Sequence, residues 1–140
     1  MSENEVFVYI SPVEETFSYT SDLEYLRHFG KWLIYGYKES IEEMGLKMKG
    51  LVGKRNILEA KFTKRPATQV PKGYVLGRYH ALIVYCDDRK RNKTRKVLEK
   101  ELGVKEMNWK YDRETWRESL EKGEKIPEGI LNALKVLEKR

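Results

Sequence analysis

One cysteine (Cys86), two histidines (His28 and His80) and one glutamine (Gln69) are the scarcest informative residues in this chain of 140 residues. A lone thiol excludes an internal disulfide, and one thiol with two imidazoles is too small a ligand set for a structural zinc site. No cofactor and no metal is expected. No apolar run approaches the ~20 residues that a helical membrane span needs. Met1–Glu5 is polar and acidic, and Val6–Ile10 is too short for the apolar core of a signal peptide. A cytoplasmic protein with no membrane partner is therefore expected. There is no internal repeat, low-complexity tract, Walker loop, dinucleotide fingerprint or RNA-recognition signature.

What is present is a globular composition, with 40% hydrophobic and 36% charged residues. The length predicts one domain, 1–140, large enough to bury about two-thirds of its unfolded surface. Abundant Lys and Glu with almost no Gln is a thermophile-like composition, in which ion-pair networks are common. The net charge of +6 is unevenly placed: Lys61 to Lys96 carries eleven Lys and Arg against Asp87 and Asp88, a local +9, and the remainder sums to −3. A basic segment of this kind attracts anions, with nucleic acid or phosphate the usual candidates, although a solvated basic face has the same composition.

The pattern along the chain predicts a strand at Glu5–Ile10 and a short helix from Ser21, with Glu24 at capping-box spacing and a stop at Gly30. A strand at Lys31–Tyr37 places Trp32 and Ile34 on one face and Leu33, Tyr35 and Tyr37 on the other. Ile41, Met44, Met48, Leu51 and Val52 give a second helix ending near Gly53, despite Gly45 in its middle. Ile57–Phe62 alternates cleanly, and Thr63–Gly77 is a long basic loop with two prolines. Arg78–Cys86 is apolar on both faces beyond its first residues, as in a central strand. A helical stripe through Thr94, Val97, Leu98 and Leu102 stops at Gly103, and a last strand alternates at Met107, Trp109 and Tyr111. Helices at about Asp112–Leu120 and from Pro127 to Leu137 finish the chain. Strands adjacent in sequence with helices between them predict α+β: a mostly antiparallel sheet with helices on one face. If Leu58, Ala60 and Phe62 face those helices, Glu59 and Lys61 point to an open face, where Lys110 could join them.

Three stretches together resemble a known family: Gly30-Lys31-Trp32-Leu33-Ile34; Glu59-Ala60-Lys61 followed by Thr63; and Trp109-Lys110-Tyr111-Asp112 followed by Thr115. In this order they resemble the basophilic-leukaemia-expressed protein family, also called phosphothreonine-lyase-domain proteins, over about Phe29 to Leu120. The resemblance implies a curved sheet backed by helices, similar to the fold of the cap-binding translation initiation factor. Cap recognition does not carry over, because the loop Thr63–Gly77 has neither a tryptophan nor an acidic residue. Lys93-Thr94-Arg95, and Asn108-Trp109-Lys110-Tyr111 followed by Arg117, are similar to stretches of bacterial phosphothreonine lyases. Those enzymes perform a β-elimination in which a lysine removes the Cα proton, a histidine protonates the leaving oxygen and arginines hold the phosphate.

In those lyases the base ends a Lys-Trp-Lys motif, which here reads Lys31-Trp32-Leu33. Leucine cannot take a proton, so an enzyme of this kind would need Lys61 as substitute base and His80 as acid, with Arg117 clamping phosphate. A hydrogen-bonded histidine at a strand end is the plainer reading of His80, and core packing is that of Trp32 and Trp109. The primary functional expectation is a binding domain for a phosphorylated ligand such as RNA or a nucleotide. Its ligand-contact candidates are Lys31, Lys64, Arg65, Arg78, Lys110 and Arg117. A lyase is the second reading and a protein-protein interaction module the third.

Overall fold

The protein is described by a computed structural model covering residues 1–12 and 19–139. Its strands are β1 (Ser2–Glu3), β2 (Phe7–Ile10), β3 (Phe29–Gly36), β4 (Glu59–Thr63), β5 (His80–Asp87) and β6 (Asn108–Tyr111). The helices are α1 (Asp22–His28), α2 (Lys38–Lys47), α3 (Arg91–Leu102), α4 (Asp112–Glu121) and α5 (Glu128–Glu138). The strands form one open antiparallel sheet in the order β1-β2-β4-β5-β3-β6, so the chain is α+β. No helix among the described residues is long and apolar enough to cross a membrane.

Period-two alternation sorts the sheet into two faces. Ile10, Trp32, Ile34, Ala60, Phe62, Leu82, Val84 and Cys86 project toward α2 and α3, where Ile41 and Leu98, with Met48 just after α2, complete the main core. Leu82, Val84, Ile41 and Leu98 have no exposed surface, and each such side chain contributes about 1.5–3 kcal/mol relative to exposure. A second, smaller core joins α1, α4 and α5 through Leu26, Ile130, Ala133 and Leu134, with Trp116 and Leu120 against it. This second cluster is an addition to the helices on the covered face, and it sets α4 directly after β6, beside the open face.

Local chemistry explains where the elements begin and end. Ser21 caps α1 by accepting the Glu24 N–H at 3.1 Å. Gly103 ends α3 in the left-handed region at φ 70°. The first main strand starts at Phe7 rather than Glu5 because the Asn4 side chain accepts the N–H groups of Val6 and Phe7, both at 2.8 Å, in a local turn. Gly30, expected to stop α1, lies inside β3 instead. Any side chain there would run into the indole of Trp109, which lies over it from β6.

Candidate functional site

On the open face, one row of cross-strand partners runs Lys110, Lys31, Tyr85, Glu59 and the neighbouring row runs Leu33, Ile83, Lys61. These rows floor a cavity of about 440 Å³. The loop from Arg65 to Gln69 closes one side and α4 closes another through Thr115, Glu118, Ser119 and Lys122. Among the described residues its lining carries five cationic side chains, Lys31, Lys61, Arg65, Lys110 and Lys122, against the single carboxylate of Glu118. The three stretches that carry the family resemblance therefore meet here: Lys31 from the first, Lys61 and Thr63 from the second, Lys110 and Thr115 from the third.

Like charges directly opposite on adjacent strands repel, as Lys31 and Lys110 are. Each is compensated from α4. Lys31 is 7% exposed, and its Nζ donates to Asp112 Oδ1 at 2.9 Å and Thr115 Oγ1 at 2.7 Å. Asp112 sits in the first turn of α4, where the helix dipole favours a carboxylate, and its other oxygen accepts the Tyr25 phenol. Lys110 Nζ donates to both Glu118 oxygens, at 2.7 and 2.9 Å. An ammonium has three donors, so each of these lysines keeps one for a ligand.

Lys61 is held differently. Its Nζ lies 4.0 Å from the Phe7 ring centroid, 5.7 Å from Tyr9 and 5.8 Å from Tyr85, and no carboxylate of the described residues pairs with it. Burial and then the Lys31 charge push its pKa down, against smaller opposing effects of Asp112 and Glu59. The folded chain therefore gives up this proton at a lower pH than the unfolded chain. Between the two values the unfolded state binds more protons, and stability rises with pH. Below that window the charged amine costs stability in full. Lys61→Met is accordingly expected to raise Tm at neutral pH, with the gain shrinking as pH climbs through the folded value; scanning calorimetry across that range checks the sign.

The remaining candidates are dispersed. His80 is on β5 but points to the covered face; it is 5% exposed and its Nδ1 lies 3.1 Å from the Thr63 carbonyl oxygen. Lys61 and His80 thus lie on opposite faces of the sheet. Lys64 is exposed and pairs with Glu3 at 3.6 Å, and Arg78 is exposed in the long loop. Arg117 turns away from the cavity toward α5, 3.5 Å from Glu138. Thr94 is fully buried, while Arg91 and Arg95 lie over the rings of Trp109 and Trp32 at 5.5 and 5.2 Å. The positive charge at the start of α3 is explained by this cation-π packing on the covered face. The basic run Lys61–Lys96 is consequently split between the two faces.

Pattern reading missed Tyr85, Phe7, Glu118, Ser119 and Lys122 as lining residues. The last three follow from helical geometry once Thr115 is placed, since positions i+3, i+4 and i+7 share its face. Outside the cavity, His28, Asp87 and Asp88 bring one ligand atom each within 4.8 Å of one another. Each carboxylate oxygen of the group already has a partner within the protein: His28 Nδ1 lies 2.8 Å from Asp88, Asp87 accepts from Arg89 at 2.7 and 2.8 Å, and Asp88 accepts the Tyr111 phenol at 2.9 Å. Cys86 is buried, and burial pushes its thiol up to about 12, so it is no nucleophile or ligand near neutrality. No family model and no curated protein matches the chain.

Proposed function

We propose that the open-face cavity binds a small ligand through a phosphate monoester or comparable dianion, a mononucleotide or a phosphorylated residue in size. The observation that carries this reading is the convergence of Lys31, Lys61 and Lys110 from three strands onto one cavity, with Arg65 and Lys122 at its rim. Two of the three are partly neutralised, and no carboxylate of the described residues pairs with Lys61. A dianion between them would replace missing counter-charge in a partly desolvated site, where such pairs are stronger than in water. A cavity of about 440 Å³ suits one phosphorylated unit. An extended RNA backbone would need an uninterrupted basic track, and the split of Lys61–Lys96 between the faces does not favour one.

Calorimetric titration of a nucleoside monophosphate, a phosphothreonine peptide and a short single-stranded RNA, each at low and high salt, tests the proposal. The expected result is 1:1 binding of a monoester, weakened by about tenfold or more in Lys61→Met. RNA binding with a steep salt dependence and no monoester binding would replace it with a backbone-tracking surface. Heat-silent titrations with every ligand at low salt, and no Tm shift, would remove it.

A further inference from the structure

We propose that Lys61 is a nucleophilic amine that forms an imine with the carbonyl carbon of a small phosphorylated aldehyde or ketone held in the open-face cavity. This rests on the anion-binding reading of that cavity and adds a covalent step to it.

Lysine amines become nucleophilic near neutral pH by two routes, desolvation in an apolar setting or a neighbouring cation. Lys61 has both. The rings of Phe7, Tyr9 and Tyr85 lie around its Nζ, and Lys31 Nζ lies over the same Tyr85 ring, 5.6 Å from its centroid. Burial is the larger of the two influences lowering its pKa and the Lys31 charge the second. The ring faces attract the charged form and offset part of this, but they accept no proton and supply no counter-ion. Lys31 and Lys110 are unsuited to the same role, because their Nζ atoms are already engaged, Lys31 by Asp112 and Thr115 and Lys110 by both oxygens of Glu118. The cavity thus places one amine with no carboxylate partner among the described residues beside two lysines that are each paired with a carboxylate. The division fits a substrate with an electrophilic carbon at one end and a dianion at the other.

The chemistry closes without an oxidant, reductant or metal. The lone pair of neutral Lys61 Nζ attacks the carbonyl carbon, and the carbonyl π electrons move to oxygen. The nitrogen then loses its two protons to that oxygen, directly or through solvent. The oxygen leaves as water as the C=N bond forms. Thr63, with its Oγ1 accepting the Ala81 N–H at 3.0 Å, is a further cavity residue, and its hydroxyl can donate to the carbonyl oxygen.

The test is reductive trapping. The protein is mixed with an equimolar amount of pyridoxal 5′-phosphate and reduced with borohydride, which delivers hydride to the imine carbon; adducts are then mapped by peptide mass spectrometry. The expected result is one dominant adduct at Lys61, about tenfold above any other lysine. It should be absent in Lys61→Arg, which keeps the charge, and suppressed by phenyl phosphate. Labelling spread over surface lysines, or centred on Lys31 or Lys110, overturns the proposal. Phenyl phosphate binding by calorimetry with Lys61 unlabelled overturns the imine and leaves the anion site standing. Equal Lys61 labelling by pyridoxal lacking the phosphate, without phenyl phosphate protection, overturns the phosphorylated substrate class together with the anion-binding reading.

Discussion

Lys31→Met is expected to destabilise the fold by about 3–5 kcal/mol, the range for removing one partner of a buried ion pair. The side chains of Lys31 and Asp112 are only 9% and 15% exposed, and Asp112 would be left with a charge whose remaining partner is the Tyr25 phenol. Urea denaturation followed by circular dichroism measures the loss as a lowered midpoint at unchanged slope. The double variant Lys31→Met/Asp112→Asn should recover most of the stability, to within about 1 kcal/mol of the natural chain, because no uncompensated charge remains. It should not recover monoester binding. Stability and binding are thereby separated: a Lys31 that served only the fold would leave the double variant binding normally.

Gly30→Val should cost about 3 kcal/mol, for a different reason. Three atoms of the Trp109 indole lie where the new side chain must go, so the ring has to leave its place against Trp32, with which it makes an edge contact at 5.3 Å. Overpacking of this kind costs about 1–3 kcal/mol, and displacement of a packed tryptophan puts this site at the upper end. The natural φ at Gly30 is not positive, so the penalty is steric and not one of backbone strain. Shrinking the obstacle tests this: Gly30→Val combined with Trp109→Leu should lose clearly less than the sum of the two single variants. Additive losses would locate the effect elsewhere.

Much of this fold was legible because the sheet has one covered and one open face. Alternation in Ala60, Lys61 and Phe62, and in Trp32, Leu33 and Ile34, assigns each residue to its face, and the structure keeps those assignments. Helix ends marked by chemistry, Ser21 and Gly103, were equally readable. The failures are equally local. Gly30 punctuates nothing, since its use is space for an indole 79 residues further along the chain. The two-residue strand at Ser2–Glu3 is too short to carry a period, and the Asn4 turn that separates it from Phe7 shows only in hydrogen bonds.

For the site, Lys31, Lys61, Arg65 and Lys110 could be named in advance, whereas Lys64, Arg78, His80 and Arg117 do not reach the cavity. Charge alone does not say which way a side chain points. His80 has the chemistry of an acid catalyst, yet one residue of register sets it against the core, as Ala81 lines the cavity. The +9 of Lys61–Lys96 likewise divides, because its helical part covers tryptophans on the far face. The Tyr85 platform and the contribution of α4 come from tertiary contacts that no local spacing encodes.

The most direct measurement for the open-face cavity is an amide and lysine side-chain NMR titration with phenyl phosphate, recorded on the natural chain. Saturable shifts should concentrate at Lys31, Lys61, Thr63, Ile83, Lys110 and Thr115, with the covered-face residues Thr94, Arg95 and His80 unmoved. Shifts centred on Lys90–Arg95 or on the exposed loop at Lys72 and Arg78, with Lys61 silent, would contradict a phosphate site on the open face.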